Sequence, residues 1–276
     1  MKVNDLFSLQ GRPVVLTGAA GFMGQTYSEA LVEAGATVVL VDVREKELAE
    51  LAAGLQKRFG AARVQTRVVD LYDRGAAETF WKSLIRDGLC EILINNAFDF
   101  TSATGFNCPE GRLENATYEQ AEKCFQSALY WTVQSTQILG LEMKRRSQGV
   151  IINIGTMYTK QVPSPKLYVG TPQFNPWGYS AFKGALLQFT RYSAAWLGPE
   201  VRVNMLSPGA FPNTQSDTVN PATGPVLERL LSKIVLNRFG KTGDLVGALI
   251  FLASDASAYI TGQEIQVDGG ITITVT

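Results

Sequence analysis

Seven short apolar runs recur along the chain: "VVLT" (14–17), "TVVLVD" (37–42), "RVVD" (67–70), "EILIN" (91–95), "VIINI" (150–154), "VRVNML" (201–206) and "EIQVD" (264–268). They are apolar at successive positions rather than at every second one, so both faces of each run must be covered. The segments 23–34, 45–59, 74–87, 117–146, 179–197 and 244–253 between them carry helical periodicity. Two-faced strands alternating with helices predict an α/β fold: a single-domain, Rossmann-type doubly wound parallel sheet with helices on both faces. With 276 residues and 46% hydrophobic content, residues 1–276 can bury one sizeable core. Segments 98–113 and 156–176 do not fit the alternation, and the second carries four prolines and one glycine. Both follow strand C-termini, where an open α/β sheet binds ligands, so substrate loops are expected at about 98–113 and 156–177.

Composition excludes several kinds of chemistry. Twenty-five basic residues balance 25 acidic ones, which leaves no surplus of cations for a nucleic acid backbone. The opening "MKVNDLFSLQGR" has no long apolar core of a secretion signal, and no run reaches the roughly 18 apolar residues of a membrane span. A cytoplasmic protein with a small-molecule substrate is therefore expected, with neither nucleic acid nor membrane as partner. Cys90, Cys108 and Cys124 are odd in number and lack C-x-x-C spacing, so packing is their expected role. The chain has no histidine, which excludes a Ser-His-Asp triad, a Cys-His pair and the usual histidine-containing metal sites. No metal is expected, and a proton carrier must be Tyr, Lys, Cys or a carboxylate.

The stretch "VVLTGAAGFMG" (14–24) breaks from a strand into a loop with Gly18, Gly21 and Gly24, and opens the next helix at Phe22 and Met23. Glycines in that context let the backbone approach a pyrophosphate, whose charge is favoured by the helix N-terminus. The plainer alternative is a strand-to-helix turn. Asp42 ends the next strand, close to the roughly 20-residue offset of the acid that holds a ribose 2′-hydroxyl. A carboxylate there repels a 2′-phosphate, while Arg44 could still meet one, so NAD(H) is expected in preference to NADP(H).

Tyr179 and Lys183 in "YSAFKGALLQFTRYSAAW" lie one turn apart and share a helix face. A free phenol has a pKa of about 10, and a nearby ammonium together with an oxidised nicotinamide stabilises the phenolate. With "TGAAGFMG", Asp42, Asp70–Leu71, "NNA" (95–97), "YSAFK", "SPG" (207–209) and "TGQEIQVDGG" in this order, the chain resembles the short-chain dehydrogenase/reductase family over nearly its whole length. The resemblance implies that Gly18, Gly21 and Gly24 carry the pyrophosphate, Asp42 the adenosine ribose, and Asp70 and Leu71 the adenine surroundings. It places Asn96 and Ala97 along the cofactor, with Pro208 and Gly209 near the nicotinamide and a further substrate loop at about 210–233. Tyr179 would exchange the proton, and Lys183 would bind the nicotinamide ribose and lower the tyrosine pKa. It also implies a homotetramer or homodimer, often paired through the helices that precede and contain the tyrosine.

The chain departs from the family pattern at five places. The glycine spacing T-G-x-x-G-x-x-G is that of the extended branch, which includes nucleotide-sugar epimerases, although the C-terminal ending is compact. Where the family has "NISS", this chain has "NIGT", so Thr156 supplies the hydroxyl expected to bind the substrate oxygen. Ala128 aligns with the usual asparagine of the proton relay, leaving Gln126 or Ser127 as substitutes, and Phe98 replaces the glycine that often follows "NNA". The 156–177 connection is longer than usual and resembles a branch associated with sugar or polysaccharide biosynthesis. Its Tyr158, Tyr168, Phe174 and Trp177 would either stack on a substrate or pack the loop, and Lys160 or Lys166 could meet an acidic group. The expected activity is NAD(H)-dependent interconversion of a secondary alcohol and a ketone on a sugar-like or other small polyfunctional substrate. Redox-neutral epimerisation or dehydration, and a dinucleotide-binding protein whose catalysis has decayed, are the alternatives.

Overall fold

Val, Ile and Leu dominate the strands because their side chains fill a pleated surface that is covered on both sides. The computed structural model describes residues 2–213 and 224–273. Its strands are β1 (Pro13–Thr17), β2 (Thr37–Asp42), β3 (Val64–Val68), β4 (Ile92–Asn95), β5 (Gly149–Ile154), β6 (Val201–Pro208) and β7 (Glu264–Val267). They form one parallel sheet in the order β3-β2-β1-β4-β5-β6-β7. The order reverses between β1 and β4, which opens a crevice at their C-terminal ends.

Alternate side chains feed two cores. Val14, Leu16, Val38, Leu40, Ile92 and Ile94 pack under helices Phe22–Glu33, Glu45–Phe59 and Val246–Ala253. Val15, Val39, Val41, Leu93, Ile151 and Val203 face Arg74–Arg86 and the two long helical runs that precede and contain Tyr179. No helix among the described residues is long and apolar enough to cross a membrane.

Three expected elements are corrected. The third strand is Val64–Val68, not 67–70, and its register on β2 runs from Val38↔Val64 to Asp42↔Val68. As an edge strand it tolerates the polar Gln65, Thr66 and Arg67, so the apolar pattern of the interior strands does not mark it. The chain has already turned by Asp70, whose carbonyl accepts the Asp73 N–H at 3.1 Å. The expected helix 117–146 opens at Tyr118–Phe125 behind a Thr117–Gln120 capping box. It then widens into π-type turns at Gln126–Tyr130 and Thr136–Gly140 before closing at Leu141–Arg145. The last expected helix, 244–253, begins as a 3₁₀ turn at Thr242–Leu245. In the expected loop 210–233 a short helix, Pro225–Leu231, is formed, and residues 214–223 lie outside the described residues.

A buried polar ladder crosses the sheet. The Ser135 hydroxyl donates to Asn95 Oδ1 at 2.8 Å, Asn95 Nδ2 to Asn153 Oδ1 at 2.9 Å, and Asn153 Nδ2 to Thr190 Oγ1 at 2.9 Å. It ties both long helical runs to β4 and β5. An Asn153→Ala substitution strands the Asn95 amide, so it is expected to cost about 1–3 kcal/mol in urea unfolding. An unchanged midpoint would show that the ladder is not a fixed strut.

Candidate active site

Two close backbone approaches shape the glycine loop. Gly18 has a φ of +65°, and a Cβ there would lie 2.8 Å from the Ala97 Cα. At Gly24 a Cβ would lie 2.1 Å from the Gly18 carbonyl oxygen. The loop is held from behind by Asn96, whose Nδ2 donates to the Thr17 and Gly18 carbonyls, both at 3.0 Å. The Thr17 hydroxyl accepts the N–H groups of Asn96 (3.0 Å) and Ala97 (3.1 Å). Thr17 is not among the expected site residues, although it opens the T-G-x-x-G-x-x-G motif, which is the signal that marks it. Helix Phe22–Glu33 starts at Gly21 with no side-chain cap and no acidic residue in its first turn. Its leading N–H groups, including those of Phe22 and Met23, therefore fit an anionic pyrophosphate.

Asp42 is buried at the end of β2 and spans two loops. Its Oδ2 accepts the Ala20 N–H at 2.9 Å, and its Oδ1 accepts the Arg44 N–H at 3.0 Å. The half-exposed Arg44 guanidinium pairs with the same carboxylate at 3.3 Å. Asp70 accepts the Tyr72 N–H at 2.8 Å, and Leu71 beside it is buried. Pro208 ends β6, and the Gly209 N–H donates to the Val267 carbonyl at 3.0 Å. A Cβ at Gly209 would lie 2.6 Å from the Asp268 Cα, so β6 and β7 leave no room for a side chain there.

Tyr179 and Lys183 lie on helix Trp177–Leu197, and both are buried. Lys183 Nζ donates to the Ile154 carbonyl at 2.7 Å, and burial lowers its pKa to about 8. Burial raises the Tyr179 phenol, and a hydrogen bond with the Thr156 side chain pulls it partly back. Thr156 lies two residues beyond Ile154, the last residue of β5, so strand and helix bring these two side chains to one place. Four aromatic rings surround Tyr179: Phe98 at 4.9 Å, Phe106 at 5.2 Å, Phe100 at 5.9 Å and Tyr158 at 6.2 Å. Phe100 and Phe106 are not apparent as site residues in the sequence, where the alternation in "FDF" (98–100) is the only hint.

Other expected groups point elsewhere. Ala128 is buried within the first π-type turn, and the Ser127 hydroxyl donates to its own helix at the Lys123 carbonyl, 3.0 Å away. Cys124 is buried near Lys183, and burial pushes its thiol up to about 12. Of the loop aromatics, Tyr158 faces Tyr179, Phe174 lies under Arg112, and Trp177 packs on Phe182. Tyr168 closes the turn Pro165–Tyr168. Lys160 pairs at 3.1 Å with the buried Glu264, which also accepts from the hydroxyls of Ser207 and Thr159, and Lys166 is exposed.

The cradle at the first strand-to-helix turn and the hydroxyl pair at the end of β5 stand on one edge of a doubly wound sheet. They define the class as a dinucleotide-binding oxidoreductase. Residues 18–272 match the enoyl-(acyl carrier protein) reductase family. Galactitol 2-dehydrogenase (L-tagatose-forming) of Cereibacter sphaeroides is 31% identical over 276 residues, covering 99% of this chain and 100% of the relative. Gluconate 5-dehydrogenase of Gluconobacter oxydans is 29% identical over 278 residues, with 98% of both chains covered. A gluconate 5-dehydrogenase from Burkholderia cenocepacia, solved with NADP and tartrate, has a TM-score of 0.85 at 26% identity and covers 99% of this chain and 100% of its own. The chain belongs to the short-chain dehydrogenase/reductase family.

A Gly24→Ala variant should weaken NAD(P)H binding about tenfold or more in a fluorescence titration. Gly54 lies exposed in helix Glu45–Phe59, and a methyl group added there would have no neighbour within 4 Å. Gly54→Ala should therefore leave binding unchanged and add about 0.5–1 kcal/mol of stability. Equal behaviour of the two variants would contradict the cradle.

Proposed function

We propose that this chain is an NAD(H)-dependent oxidoreductase interconverting a secondary alcohol and a ketone on a sugar-like or other small polyfunctional substrate. The observation that carries the reading is the burial of Tyr179 and Lys183 one helical turn apart on helix Trp177–Leu197, with Lys183 Nζ donating at 2.7 Å to the carbonyl of the last β5 residue and Thr156 just beyond that strand. When bound, the nicotinamide dinucleotide supplies or accepts the hydride at the substrate carbon. Backbone N–H groups of the loop Gly18, Gly21, Phe22, Met23 and Gly24 bind its pyrophosphate. Asp42 binds the adenosine ribose, Asp70 and Leu71 border the adenine, and Asn96, Ala97, Pro208 and Gly209 line the remaining path. The preference for NAD(H) rests on Asp42, whose buried carboxylate also holds the Arg44 guanidinium that a 2′-phosphate would need.

Thr156 orients the substrate oxygen with its hydroxyl. In the reductive direction Tyr179 gives that oxygen a proton from its phenol, and in the oxidative direction it takes the proton back. Lys183 holds the cofactor ribose and favours the phenolate by its charge. Oligomerisation is part of the proposal, as a homodimer or homotetramer. Tyr192 and Trp196 stack at 6.0 Å on the outer face of the Tyr179 helix, and Leu141 on the neighbouring run is also exposed.

The reading is tested by following the 340 nm absorbance of NADH, with NADPH in parallel, over keto-sugars and other small ketones. Turnover should favour NADH, and Tyr179→Phe should lose about 10²–10⁴-fold in kcat while still binding NADH. Undiminished turnover in the variant would overturn the role of the phenol.

A further inference from the structure

The segment after "NNA" brings three phenylalanines onto Tyr179. Phe98, Phe100 and Phe106 also pack edge to face on one another, with centroids 4.6 Å (98 to 100), 5.2 Å (100 to 106) and 5.7 Å (98 to 106) apart. The loop that carries them is braced. Asp99 Oδ2 accepts the Tyr72 hydroxyl at 2.8 Å, and the Asp99 carbonyl accepts the Thr104 hydroxyl at 2.7 Å. Gly111 crosses Gly105 so closely that a Cβ on Gly111 would lie 1.8 Å from the Gly105 carbonyl oxygen. Phe98 stands where the family often has glycine, and its ring centroid lies 5.6 Å from Lys183 Nζ.

Among the described residues, cations of the flanking segments are already committed. Lys160 is committed to Glu264, Arg112 lies over Phe174, and Arg229 donates to the carbonyls of Leu167 and Val169. Lys183 is itself held by the Ile154 carbonyl. A polyol or sugar acid set against phenylalanine rings would lose water from its hydroxyls or carboxylate without gaining partners, which costs binding energy. A flat apolar ring would instead gain edge-to-face contacts.

We infer that Phe98, Phe100 and Phe106 form a specificity wall, and that the substrate carries a flat apolar ring beside the carbonyl that meets Tyr179 and Thr156. This rests on the oxidoreductase reading and narrows it, from the small polyfunctional compounds in general to ring-bearing carbonyl compounds. The three rings give the hydroxyls of an open-chain keto-polyol no partner, which disfavours such a substrate. Residues of the wall position the ring, and the proton and hydride steps stay with the groups described above.

The test compares an aryl ketone, 1-indanone, with an open-chain keto-polyol, erythrulose, using NADH and the wild-type protein. The kcat/KM should favour the aryl ketone by about tenfold or more, and Phe106→Ala should remove about tenfold of it with the NADH Kd unchanged. Phe100→Leu serves as the second variant if Phe106→Ala does not fold. Binding of both compounds to Tyr179→Phe is followed by saturation-transfer NMR, which reads the wall without turnover. Selective aryl binding with no turnover of either compound keeps the wall and removes the oxidoreductase reading. Turnover that favours the keto-polyol, or an aryl preference untouched by the wall variants, overturns the wall and keeps the oxidoreductase. Absence of both turnover and selective binding overturns both.

Discussion

Two ionisable side chains, Tyr179 and Lys183, are buried together one helical turn apart, and burial opposes the charged form of each. The phenol is raised above its ordinary value and the ammonium is lowered to about 8. The groups nearest in effect are the Thr156 hydroxyl, which favours the phenolate, and Tyr158 and Cys124, which oppose it. Such a pair is only useful for proton transfer if its neighbours are fixed, and the fold supplies that fixity at each side. The carbonyl that holds Lys183 belongs to the last residue of β5, and Thr156 follows just beyond. The Asn95–Asn153 ladder locks β5 to β4 and to the helix that carries both residues.

The cofactor side depends on a second fixed crossing. β1 and β4 are neighbours, so the ends of both strands meet at the switch point of the sheet. Thr17 and Asn96 use that adjacency to lock the glycine loop to the "NNA" segment, which continues directly into the aromatic wall. One short stretch, 95–106, therefore touches the sheet ladder, the dinucleotide cradle and the rings around Tyr179. A shift in this stretch would be felt at all three.

Much of this is legible in the sequence because it is local. Two-faced apolar runs mark the interior strands, glycines mark the cradle, and one-turn spacing places Tyr179 and Lys183 on a common face. The Thr156 hydroxyl is legible through the resemblance of "NIGT" to the family's "NISS". What stays hidden depends on contacts between distant segments. The edge strand β3 borrows its register from β2 and needs no apolar signature of its own. The Lys160–Glu264 pair joins a loop to the last strand, and no spacing rule links the two. The wall around Tyr179 draws on residues from two loops without periodicity, so their composition shows aromatics but not which of them meet the phenol. Of the four loop aromatics weighed for substrate contact, only Tyr158 is among the rings around Tyr179.

The central claim is that burial keeps the Tyr179 phenol neutral until the positively charged ring of an oxidised nicotinamide joins Lys183 beside it. It is tested most directly by titrating phenolate absorbance at 295 nm in wild type and Tyr179→Phe, each with and without NAD⁺. The difference between the two proteins isolates Tyr179 from the other tyrosines. Without dinucleotide, Tyr179 should give no phenolate up to the ordinary phenol value of about 10, and saturating NAD⁺ should bring its titration below that value. Ionisation below about 10 in the free protein, or a titration that NAD⁺ leaves unmoved, would contradict the account.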